Sequence, residues 1–85
     1  MEYLVGNDYE QLIGALGCLL KNGYEILPRD ELHAILRKIC REGDNDKVYE
    51  LKRKYRRECL DKGIIKIGYL FNQDDSDYLH RNYMA

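Results

Sequence analysis

The densest chemistry in this 85-residue chain lies in Lys52, Arg53, Lys54, Arg56 and Arg57, five cations in six positions with Tyr55 among them. Lys47 stands one to two helical turns upstream. Ammonium and guanidinium groups at this density suit the phosphates of a nucleic acid. Arg53 or Arg57 could also meet guanine through paired hydrogen bonds. If five or six phosphates were engaged, binding would weaken with salt along a log–log slope of about −4 to −5. The competing reading is a solvated helix face stitched by i,i+4 ion pairs, Glu50–Lys54, Lys54–Glu58 and Arg57–Asp61, each contributing about 0.2–0.5 kcal/mol.

A second group, Asp74, Asp75, Tyr78 and Tyr83, offers a different chemistry. Acidic and tyrosyl side chains near the C-terminus suit a contact with a partner protein, because tyrosine combines apolar area with polar reach. The functional expectation is therefore a small intracellular, cytoplasmic regulatory protein that binds nucleic acid through Lys47, Lys52, Arg53, Lys54, Arg56 and Arg57. The alternative is a non-catalytic protein-interaction module that uses Asp74, Asp75, Tyr78 and Tyr83.

Other chemistries find little footing. There is no glycine-rich phosphate loop and no Ser/His/Asp or Cys/His arrangement, so no enzymatic activity and no cofactor are expected. Cys18, Cys40 and Cys59 are odd in number and widely spaced, which reads as buried free thiols in a reducing compartment. His33 and Cys40 share a helix face but stand about 10.5 Å apart along it, too far to ligate one metal ion. The acidic run around Asp44 and Asp46 lacks the later ligands of a calcium loop, so capping explains it better.

Whole-chain electrostatics are muted: 14 Lys and Arg oppose 15 Asp and Glu, for a net charge of −1. Any nucleic-acid case must therefore rest on local clustering. The N-terminal MEYLVGNDYE lacks the basic and apolar regions of a signal peptide, and no apolar stretch approaches the ~18 residues of a membrane span. No membrane partner is expected. Twelve Leu, seven Ile and eight Tyr nonetheless supply the apolar area for one folded domain over residues 1–85.

The elements that must position these residues follow from apolar spacing. Residues 1–6 read as an N-terminal arm or short strand. Asn7 and Glu10 form a capping-box pattern ahead of a helix whose stripe is Tyr9, Leu12, Ile13, Leu16 and Leu20, closed by Asn22-Gly23. Gly14, Ala15, Gly17 and Cys18 leave that helix thin on one flank, for close packing of another element or a second copy in a homodimer. Tyr24–Leu27 leans toward strand. Pro28 suits the first turn of a second helix with the stripe Leu32, Ile35, Leu36, Ile39 and Cys40, ended by Gly43. One of Asp44, Asn45 or Asp46 caps a third helix, whose apolar line is Val48, Leu51, Tyr55 and Cys59. After Gly63, the β-branched alternation from Ile64 to Phe71 predicts a strand. Residues 72–76 predict a turn, and residues 77–84 a returning strand, a short capped helix or a tail.

In this order the elements, with the passage CLDKGIIKIGYLF from third helix into strand, resemble the winged helix-turn-helix superfamily over about residues 8–83. The resemblance implies an α+β fold, mainly helical: a three-helix winged-helix-like domain with a small antiparallel β-sheet or hairpin after helix three. It implies that Asp46–Lys62 is a recognition helix, Gln73–Ser76 a wing tip, and DNA the usual partner. Two features depart from that pattern. The wing tip would carry Asp74, Asp75 and Asp77, and helix three begins with Asp44, Asp46 and Glu50, where recognition helices meet base edges.

Overall fold

The computed structural model describes residues 8–84. It comprises four α-helices, α1 (Asp8–Lys21), α2 (Arg29–Glu42), α3 (Asn45–Asp61) and α4 (Gln73–Leu79), and α4 continues into one π-helical turn over His80–Met84. α1 is the centre. Every residue from Leu12 to Leu19 is buried, so the helix is enclosed on all sides instead of showing the single stripe its leucines suggest. α4 and α3 pack against it, while α2 touches α3 and the π-turn only lightly.

The thin flank of α1 explains that enclosure. A Cβ built on Gly17 would sit 1.8 Å from the Asp75 carbonyl oxygen, and one on Gly14 would sit 2.4 Å from Phe71 Cβ. The small residues therefore admit the backbone of α4 and the segment before it. Of the two expectations for this flank, close internal packing is the one found; the surface is filled from within.

The helix boundaries follow local chemistry. Gly23 and Gly43 take φ of 88° and 65°, the left-handed conformation that ends α1 and α2. Pro28 precedes α2 as its cap rather than standing inside its first turn. Among the three candidate caps of α3, Asp44 serves: its Oδ1 accepts from the Lys47 amide at 3.0 Å. The expected cap Asn7 and the arm over residues 1–6 lie outside the described residues.

The expected sheet requires correction. No strand occurs among the described residues, so the α+β, winged-helix-like fold is replaced by a four-helix fold. Tyr24–Leu27 is irregular, and so is the segment over residues 64–72, which bends at Ile64 and Ile65 and turns at Ile67–Gly68. Gly68 takes φ of 92°, and the Tyr69 amide reaches the Lys66 carbonyl at 3.0 Å, closing a turn where the strand was expected. That turn breaks the alternation: Ile65 and Phe71 face the core, while Ile67 and Leu70 are 92% and 73% exposed.

Two side chains replace the missing ladder. The Gln11 amide donates to the Phe71 carbonyl at 3.2 Å and accepts from the Phe71 amide at 3.1 Å, as a neighbouring strand would. Arg56 Nη1 donates to the Tyr69 carbonyl. Of the three forms open to residues 77–84, a capped helix is found, and it starts earlier, at Gln73, because Asn72 and Asp75 complete a capping box: each side chain accepts the other's backbone amide at 3.1 Å. With no wing, residues 73–76 are the first turn of α4 rather than a wing tip.

Candidate nucleic-acid interface

The outer face of α3 is built by its own periodicity. Val48, Tyr55 and Cys59 are buried toward α1, which turns the charged residues outward. Between two rows of those outward side chains runs an open groove of about 650 Å³, lined by Tyr49, Glu50, Arg53, Lys54, Arg56, Arg57 and Leu60. Four of these seven are cations and one is an anion.

The six sequence-selected cations are not equivalent. Arg53, Lys54 and Arg57 are exposed and line the groove together. Lys47 is exposed outside the groove and pairs with Glu50 at 3.6 Å. Lys52 is withdrawn: its ammonium is 3.0 Å from Asp8 of α1, and its side chain is only 20% exposed. Arg56 is half-buried between the Tyr69 carbonyl and the ring of Phe71, so it braces the segment after α3. Of the anticipated i,i+4 pairs, Arg57–Asp61 forms, at 3.8 Å with both partners exposed. Glu50 turns to Lys47, and Lys54 instead lies over its neighbour Tyr55, 5.3 Å from the ring centroid. Tyr49, 47% exposed, has Lys52 and Arg53 4.7 and 5.8 Å from its ring centroid, so its ring helps to orient those cations.

The acidic group behaves otherwise. Asp75 is 1% exposed and belongs to the interior, which corrects its expected place on an interaction surface. Its Oδ1 accepts from Lys21 Nζ at 2.8 Å. Its Oδ2 accepts from the Tyr69 hydroxyl at 2.9 Å and the Asn72 amide at 3.1 Å. Burial, and then the hydrogen bond to Asp75, push the Tyr69 hydroxyl up to about 12. Tyr83 is also engaged, its hydroxyl donating to the Leu27 carbonyl at 2.8 Å. Asp74 is exposed and Tyr78 half-buried. The four acidic and tyrosyl residues therefore form no common surface.

The chain matches no family model, no curated protein and no solved structure. Its chemistry must be taken from its own residues.

The cysteines divide in two. Cys18 and Cys59 are buried in the α1–α3 interior, and burial raises both thiols, that of Cys59 to about 12, which leaves them unreactive packing groups. Cys40 is exposed, contrary to the expectation that all three are buried. It lines a 360 Å³ groove with Tyr9, His33, Leu36 and Arg37. His33 Nε2 donates to the Tyr83 carbonyl at 3.0 Å, a latch between α2 and the π-turn. Among the described residues, no group of three or more His, Cys, Asp or Glu could hold a metal ion, and no helix is long and apolar enough to cross a membrane.

Sequence reasoning missed Asp75 as an internal junction, although the Asn72-x-x-Asp75 spacing was the available signal. It also missed Gln11, for which no local signal exists, because its partner lies 60 residues away.

Proposed function

We propose that this protein binds nucleic acid through the phosphate backbone, using the outer face of α3. The observation that carries the reading is the shared exposure of Arg53, Lys54 and Arg57 along one groove, with the acidic start of α4 packed on α1 instead of over them. Exposed cations aligned along a helix attract a regular array of phosphates and release its condensed counterions. Three exposed cations, with Lys47 as a fourth at the edge, make this a contact to backbone rather than to base edges; the solvent-exposed pairs Arg57–Asp61 and Lys47–Glu50 must open for it.

The committed geometry of Lys52 and Arg56 lowers the expected number of contacts from five or six to about three or four. The full chain, titrated onto a fluorescent DNA duplex, should therefore bind with a log–log salt slope of about −3. Reversing all three exposed cations (Arg53→Glu, Lys54→Glu, Arg57→Glu) should abolish binding while leaving the helical circular dichroism intact. Absence of wild-type binding at low salt, or an unaltered triple variant, refutes the reading. The alternative contact through Asp74, Asp75, Tyr78 and Tyr83 has lost Asp75 to the interior and the Tyr83 hydroxyl to Leu27, so no observation favours it.

A further inference from the structure

We propose that the turn between α3 and α4 is a peripheral docking tip for an anionic lipid surface, with Ile67 and Leu70 as the side chains that enter it. These are the two most exposed large apolar residues described, at 92% and 73%. An isoleucine with that much of its surface free touches almost nothing of its own protein, so it projects from a convex tip. The tip is held in place from beneath. Ile65 and Phe71 anchor it in the core, Gln11 grips both backbone groups of Phe71, and Arg56 holds the Tyr69 carbonyl. Gly68, at φ of 92°, closes the turn that aims Ile67 outward.

The charge around the tip identifies the occupant. Lys62 and Lys66 are exposed, and the sequence from Lys62 to Gln73 contains no acidic residue. Lys62 also lies 5.0 Å from the ring centroid of the part-exposed Tyr24. Tip-to-tip pairing of two copies would set lysine against lysine. A folded partner or peptide of ordinary kind receives projecting side chains in a groove of matched shape. A bilayer needs no matched shape: its headgroup boundary deforms around two aliphatic chains while the lysines meet anionic headgroups. Each aliphatic side chain that leaves water strengthens binding about ten-fold or more, and each lysine near an anionic surface about five-fold. Insertion of the same tip into a DNA duplex would first require unstacking a base step, an opposing cost that a bilayer lacks.

The chain contains no tryptophan, so Ile67→Trp places a single reporter at the tip. Mixed with phosphatidylcholine vesicles containing phosphatidylserine, its emission should shift to the blue, and added salt should reverse the shift. In the parent chain, Ile67→Ser with Leu70→Ser should weaken vesicle partitioning at least ten-fold, with helical content unchanged because both sites are exposed. Three results overturn the proposal. The first is no shift with phosphatidylserine vesicles. The second is a shift on a DNA duplex instead, which makes the tip a nucleic-acid wedge. The third is undiminished partitioning of the double serine variant, which assigns adhesion to the α3 cations alone.

Discussion

The basic face of α3 and the acidic start of α4 are two charged clusters of this domain, and they have opposite fates. Three cations of the first remain in water along a shared groove. The key anion of the second is buried and accepts three hydrogen bonds, one from α1 and two from the segment before α4. The difference is one of neighbours rather than charge density. Asp75 stands three residues beyond an asparagine that can reciprocate its capping bond, and beside a hydroxyl and an ammonium that supply further donors. Arg53, Lys54 and Arg57 have long, flexible stems, and their neighbours are the Tyr49 and Tyr55 rings and the exposed Asp61 carboxylate, so hydration holds them outside. A buried carboxylate surrounded by donors is a fold determinant, whereas a row of solvated cations is available for another molecule.

The largest expected effect strikes the acidic side of that comparison. Asp75→Ala would leave the Tyr69 hydroxyl, the Asn72 amide and the Lys21 ammonium without their acceptor, removing the side-chain half of the capping box and destabilising the domain by about 3–5 kcal/mol in chemical denaturation. A loss below about 1 kcal/mol would show that the junction is merely decorative. Gly17→Ala should cost about 3 kcal/mol, because the obstructing atom is the Asp75 backbone oxygen and cannot rotate away. Retained stability would mean that α4 slides freely on α1.

Alkaline titration sharpens the same junction. Tyr69 and Lys21 both have folded values raised above their ordinary ones, Tyr69 to about 12. Lys21 is raised first by its hydrogen bond to Asp75. In each case the folded state holds the proton more tightly. Their contribution is thus complete below the unfolded values of 10.0 for Tyr69 and 10.5 for Lys21, and it fades as pH climbs through the raised folded ones, about 12 in the case of Tyr69. Tyr69→Phe should lower stability at neutral pH by about 1–2 kcal/mol and flatten the decline above pH 10. An equally steep decline in the variant would locate the alkaline sensitivity elsewhere. The smallest effect is expected on the basic side. Arg53→Ala or Lys54→Ala should move stability by no more than about 0.5 kcal/mol, yet each should reduce the magnitude of the DNA salt slope by about 0.9.

The helices were readable because their signals are local. Apolar spacing gave α1, α2 and α3, and Gly23 and Gly43 stopped two of them where expected. The strand after α3 failed for a non-local reason. Alternation from Ile64 to Phe71 is a genuine β signal, but a strand also needs a partner, and the return strand that could have followed it is drawn into α4 by the Asn72–Asp75 capping box. Gln11 then satisfied Phe71 from 60 residues away, which no window along the chain could reveal. The cationic groove was half legible. Periodicity placed Arg53, Lys54 and Arg57 outward, but the diversion of Lys52 to Asp8 and of Arg56 to Tyr69 depends on tertiary contacts.

The light seating of α2 has a consequence for how this domain breathes. Its core stripe is narrow, with Leu32, Leu36 and Ile39 fully buried, and its ends are secured by the Gly43–Asp44 connection and by the two bonds of Tyr83 to His33 and Leu27. Without those two bonds, α2 would be held chiefly by Leu32, Leu36 and Ile39 and should open before α1, α3 and α4 separate. Amide deuterium uptake should therefore proceed in order, with α2 exchanging through partial openings and the enclosed middle of α1 only when the whole domain unfolds.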